Sequence, residues 1–182
     1  MTDFQTLLNE RGVLIADGAT GTNYFALGLE TGYPPELWNI EHPARVKGLH
    51  RQFLDAGSDL ILTNSFGGTS FRLKLHNAQD RVHELNMAAA RLAREAADEH
   101  ASETGRTVLV AGSMGPTGEL FAPLGPLDHA GAVAGFADQA EALAPNAPNG
   151  PSWSARILAG QGRIDEAFAE AERARDLDPL QA

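Results

Sequence analysis

The sequence predicts an α/β fold built on a parallel sheet, on the strength of three observations. Short apolar runs recur at Val13-Leu14-Ile15-Ala16, Leu60-Ile61-Leu62-Thr63 and Val108-Leu109-Val110-Ala111. Each lacks the polar alternation of a half-exposed strand, as expected when both faces of a parallel sheet are covered. Helical periodicity fills the intervals, and strand–helix repetition of this kind implies right-handed crossovers.

The elements follow in order. After the first run, Pro43 suits a first helical position, with Val46, Leu49 and Phe53 at helical spacing up to Gly57. After the second run, Val82, Leu85, Ala89, Leu92 and Ala96 form one stripe of a longer helix. After the third, Asp128 is placed to cap a helix presenting Val133, Phe136, Ala140 and Leu143. The connections following the strand ends, residues 17–42, 64–76 and 112–127, are long. In a parallel α/β fold, ligands bind at that end of the sheet. Around Pro145 the character changes. Residues 145–152 read as a Pro/Asn/Gly linker, and residues 153–182 as a short α-helical hairpin with segments at 153–161 and 163–177.

Composition narrows the function classes. The chain has 182 residues, 43% hydrophobic and 21% charged, with 24 Asp+Glu against 14 Lys+Arg and a formal net charge of −10. That balance disfavours nucleic acid and anionic membranes as partners, since both reward clustered cations. Residues 1–5 lack the charged start of a signal peptide, and no apolar stretch reaches the ~20 residues of a membrane span, so a cytoplasmic protein is expected. There is no cysteine, which excludes disulfides, a cysteine nucleophile and thiolate-bound metal from this chain's own residues.

The strand ends carry the candidate chemistry. Asp17-Gly18-Ala19-Thr20-Gly21-Thr22 puts a carboxylate beside glycines that let a ligand approach the backbone; Asp17 suits a ligand amine, hydroxyl or cation, and equally a turn cap. Thr63-Asn64-Ser65-Phe66-Gly67-Gly68-Thr69 reads either as a turn-and-cap loop or as a pocket wall for a polar ligand. Gly112-Ser113-Met114-Gly115-Pro116-Thr117-Gly118 lacks the Lys and Ser/Thr of a phosphate-binding loop, and Gly18 and Gly21 do not form a dinucleotide fingerprint. The histidines, His42, His50, His76, His83, His100 and His129, fall in no ligand spacing and read as solvated. With no second carboxylate or histidine at a strand end to partner Asp17, metal-independent acid–base catalysis ranks last.

Taken in register, the three strand-end motifs, together with Trp38-Asn39-Ile40-Glu41-His42-Pro43 and Asp55-Ala56-Gly57-Ser58-Asp59, resemble the amino-terminal part of homocysteine S-methyltransferases. The similarity covers roughly residues 10–144, and within the family it looks closest to betaine–homocysteine methyltransferases and the homocysteine half of methionine synthase. The resemblance implies the first three units of a (β/α)8 TIM-type barrel, a form that typically needs about 250 residues. It also implies methyl transfer from a donor to homocysteine sulfur, giving methionine. In the family a zinc ion held by three cysteine thiolates keeps the substrate thiol deprotonated. By the same resemblance Asp17 matches the carboxylate near the homocysteine amino group, with Gly18 beside it. Thr63, Asn64 and Phe66 match the second pocket loop, and Gly112 and Ser113 the third. The family's zinc cysteines and a further substrate-binding glutamate lie on later strands, so activity by this chain alone is not expected. The tail, through Gly162, Ala167, Ala171, Ala174 and Pro179, resembles one tetratricopeptide repeat. The alternative is a binding or assembly module using an open sheet edge, through which it would self-associate, and the tetratricopeptide-like hairpin.

Overall fold

The computed structural model describes residues 4–145, together with Ala169 and Glu172. The linker and the tetratricopeptide-like hairpin expected at 145–182 therefore lie almost wholly outside the described residues. Two of the anticipated strands form as drawn: β1 (Leu60–Leu62) and β2 (Leu109–Ala111) pair in parallel, Ile61 against Val110. The run at 13–16 is held beside β1 without becoming a full strand. Its one bridge is Ala16 to Leu60, flanked by Asp59 N–H to Ile15 O (2.7 Å) and Asp17 N–H to Leu60 O (2.9 Å).

That segment departs from expectation in its burial. Val13 is 68% and Ile15 59% exposed, and Leu62 on β1 is also exposed. A parallel strand hides both faces only when sheet neighbours and helices cover them. Among the described residues the 13–16 segment has a sheet neighbour along one edge, which leaves its apolar side chains uncovered.

The helices follow their periodicity closely. Helix α1 (Phe4–Arg11) precedes the sheet, and α2 (Gly21–Ala26) and α3 (Trp38–Glu41) break up the first long connection. Helix α4 (Pro43–Asp55) starts at Pro43 and runs out at Gly57, whose φ of +107° favours glycine. Its Val46, Leu49 and Leu54 are buried. After a short α5 (Ser70–Leu73), α6 (Val82–Thr104) packs an alanine-rich face against α4 and the sheet. Small side chains bring these elements close, and Ile61, Leu54, Ala93, Ala96, Ala97 and Val108 form one core cluster.

Helix α7 (His129–Leu143) begins as anticipated, the Asp128 carboxylate accepting Gly131 N–H at 2.7 Å. Its buried face differs by about one residue from the apolar stripe. Ala132, Gly135, Gln139 and Ala142 are buried, whereas Val133, Phe136, Ala140 and Leu143 are half-buried. Close packing explains the choice. A Cβ on Gly135 would run into the Phe71 ring, so only a small-residue face can dock here.

Candidate functional site

A cavity of about 470 Å³ opens at the carboxyl ends of the strands. Thr63, Asn64, Phe66 and Ser113 line it, as do Thr20, Ser65, Glu36, Arg72 and His76. Asp17, Gly18 and Gly112 do not. Gly18 lies against Phe53, and Gly112 against Leu143 of α7. Asp17 Oδ2 accepts Leu62 N–H at 2.9 Å, while its Oδ1 is buried without a hydrogen-bond partner. Burial pushes the Asp17 carboxyl above the usual range, against the lowering effect of that amide.

The loop after β1 is built from its own polar side chains. Thr63 Oγ1 shares a 2.6 Å hydrogen bond with Ser65 Oγ and accepts Ser113 N–H at 2.9 Å. Ser65 Oγ also donates to Ser113 O at 2.8 Å, joining this loop to the one after β2. Asn64 donates to Pro35 O (2.8 Å) and to Asn39 Oδ1 (2.9 Å). Thr63 and Asn64 thus shape the wall, with their hydrogen-bonding capacity largely spent on the protein.

Neighbouring elements grip the same loop by its backbone. Asn39 of α3 donates to Asn64 O (2.9 Å), Asn86 of α6 to Gly68 O (2.8 Å), and Gln139 of α7 to Ser65 O (2.6 Å) and Asn86 Oδ1 (3.1 Å). Asn39, Asn86 and Gln139 are all fully buried. A buried network of this kind favours one loop conformation, at the cost of leaving Gln139 Oε1 without a hydrogen-bond partner. It also dictates Gly68, where a Cβ would fall 2.8 Å from Gln139 Nε2 and closer still to Asn86 Oδ1.

Sequence reasoning missed several wall residues. Glu36, Arg72 and His76 come from connections rather than strand ends, so a carboxylate and a histidine do stand at the cavity. Glu36 is 5% exposed and its carboxyl is raised by burial, offset in part by its own amide, Gly67 N–H, Arg72 and His76. The expectation that every histidine is solvated fails at His50 and His100, both buried. His50 occupies the apolar face of α4, and desolvation lowers it to about 4. His100 Nδ1 lies 3.4 Å from the Asp55 carboxylate, without hydrogen-bond geometry.

The donor set does not fit a thiolate-held metal. The chain has no cysteine, and the described residues bring no three His, Asp or Glu side chains together in a metal-binding group. Among the described residues, no helix is long and apolar enough to cross a membrane.

Comparison with known proteins converges on one family. The family model described as homocysteine S-methyltransferase matches residues 14–150. Methionine synthase of Mycobacterium tuberculosis is 34% identical over 137 residues, covering 71% of this chain and 11% of that protein. The fold is similar to that of the homocysteine methyltransferase MmuM of Escherichia coli. The oxidized form gives a TM-score of 0.65 at 24% identity, covering 87% of this chain and 62% of that one. The metallated form gives the same score, covering 87% and 63% respectively. The chain therefore spans about a tenth of the methionine synthase and rather less than two thirds of the solved barrel.

Proposed function

The chain belongs to the homocysteine S-methyltransferase family, of which it represents an amino-terminal part, and we propose that it supplies the homocysteine-facing loops of that family's site without its metal-binding portion. The carrying observation is the cavity at the strands' carboxyl ends, walled by the residues that the family motif assigns to substrate: Thr63, Asn64, Phe66 and Ser113. On this reading residues 1–144 are the first three units of a (β/α)8 barrel acting in the cytoplasm, residues 145–152 a linker, and 153–182 a tetratricopeptide-like hairpin. Asp17, with Gly18, is the family motif's partner for the ligand's ammonium. Neither lines the cavity, and the support for Asp17 is its buried, unpartnered Oδ1, an acceptor costly to leave without a donor. Gly112 keeps the third loop close to α7 and Ser113 at the wall.

Zinc is the family's cofactor, and this chain's residues do not form its site. The polypeptide alone then leaves homocysteine sulfur largely protonated and methyl transfer slow. Isothermal titration with homocysteine, with and without zinc, tests this directly. Weak homocysteine binding, no stoichiometric zinc uptake and no methionine are expected. Methionine formed from a methyl donor by the purified chain would refute it.

The exposed Val13, Ile15 and Leu62 favour a second reading, an assembly module that self-associates at the uncovered sheet. Sedimentation across a concentration series separates the two. A monomer at all concentrations would exclude self-association.

A further inference from the structure

The aromatic wall of the cavity is held in an unusual way. Phe66 is 61% exposed, so packing does little to fix its ring. Its backbone, by contrast, is tied on both sides. The peptide unit joining Phe66 to Gly67 has one carbonyl and one N–H. The carbonyl accepts Gly115 N–H at 2.9 Å, from the loop after β2. The N–H donates to Glu36 Oε1 at 2.6 Å, from the 3-10 turn Pro35–Leu37.

Both flanking glycines are required by this clamp. A Cβ on Gly67 would fall 2.9 Å from Glu36 Oε1, and one on Gly115 would fall 2.8 Å from Phe66 Cδ1. Glu36 is a costly choice of acceptor, because a carboxylate so nearly buried gives up much of its hydration. The turn that carries it is rooted by Leu37, which packs with Leu73, Ala78, Val82 and Leu85. That packing anchors the turn apart from the Gly67 contact, and Pro35 O adds a second tie to the loop by accepting Asn64 Nδ2–H at 2.8 Å.

We propose that Glu36 is a positioning residue: by accepting the Gly67 amide it fixes the Phe66–Gly67 peptide, and so holds the Phe66 ring in the cavity wall for a ligand to pack against. The assignment rests on the family reading only for the identity of that ligand, homocysteine, whose thioalkyl arm suits an aromatic face. The requirement at residue 36 is an acceptor of the right reach, and negative charge is incidental to it.

Amide exchange measured by NMR on the intact chain tests the clamp without any ligand. In Glu36→Ala, and in Glu36→Asp, whose carboxylate is one methylene short, Gly67 protection should fall about tenfold or more, the value of one such hydrogen bond. Leu92 and Ala93 in α6 should keep theirs. Glu36→Gln retains an acceptor of the same length and should restore Gly67 to within about threefold of wild type. Unchanged protection at Gly67 in the Asp or Ala variant, or equal loss in the Gln variant, overturns the proposal. Homocysteine titration of the same proteins should show affinity reduced about tenfold by Ala and retained by Gln. If the wild-type chain takes up no homocysteine, the ligand assignment fails, and the exchange data alone decide the role of Glu36.

Discussion

Acidification from pH 6.5 to 4 should cost the fold about 3 kcal/mol through His50 alone. The side chain is 3% exposed, and its Nε2 has no hydrogen-bond partner. Desolvation therefore lowers the imidazole from 6.5 to about 4. Between those values the unfolded chain binds a proton that the folded chain refuses, so stability is full above about 6.5 and is lost as pH falls. At roughly 1.4 kcal/mol per pH unit the loss approaches 3 kcal/mol, a large part of a typical 5–15 kcal/mol. Asp17 and Glu36 act in the opposite sense. Their carboxyls are raised by burial, so their contributions grow on acidification. The wild-type curve alone mixes these effects, and a difference measurement isolates His50. Urea denaturation of wild type and His50→Leu at matched pH values should show the stability difference shifting in favour of the variant by about 3 kcal/mol between pH 6.5 and 4. Parallel curves would refute the reasoning and place water or a hydrogen-bond acceptor beside the His50 imidazole.

The remaining predictions concern the core and the loop network. Gly68→Ala should destabilise by about 2–4 kcal/mol, read as a lower urea midpoint, because its Cβ displaces the buried amides of Asn86 and Gln139. Asp59→Asn should cost about 1–3 kcal/mol, since Asp59 accepts Ile15 N–H at 2.8 Å and pairs with Arg11 and Arg106. Burial raises the Asp59 carboxyl, but that amide and the two guanidiniums outweigh it and hold the group below its usual 3.8. Its contribution is therefore lost as pH drops below about 4, and the variant should flatten that limb of the curve. Arg51→Ala, on an exposed pair with Asp55 and Glu103, should change the midpoint little.

Periodic segments were legible in the sequence because their period states which face is covered. The α4 and α6 stripes and the Asp128 cap all formed where the pattern put them. The errors came from applying hydropathy instead of position. His50 follows Val46 by one helical turn and so lies on the stripe that Val46 and Leu49 define. Its identity suggested solvent, whereas its register gave burial. On α7 the buried Gln139 lies in phase with Ala132, Gly135 and Ala142, one residue off the apolar stripe that the sequence suggested. The exposed Val13 and Ile15 failed for the converse reason. Their apolar run reports a strand built to be covered, and among the described residues nothing covers it.

The site was legible to a different degree, and Glu36 shows why. Its neighbours Pro34, Pro35, Leu37 and Trp38 mark a turn, and a lone carboxylate in a turn ordinarily faces water. Its burial depends on a loop arriving from beyond β1, with a glycine at the one position where a side chain would collide. The available signal was the Gly67-Gly68 pair. Consecutive glycines away from any positive φ imply that something presses on the backbone from outside. Here the pressing groups are Glu36 on one glycine and Asn86 with Gln139 on the other. The hydrogen-bonding residues of the strand-end motif thus serve mainly to hold the loop, and on the proposed reading ligand contact falls to what the held loop displays, above all Phe66. Substitutions in that motif should therefore first alter loop order and only through it affinity, which makes amide exchange the more direct measure of this site.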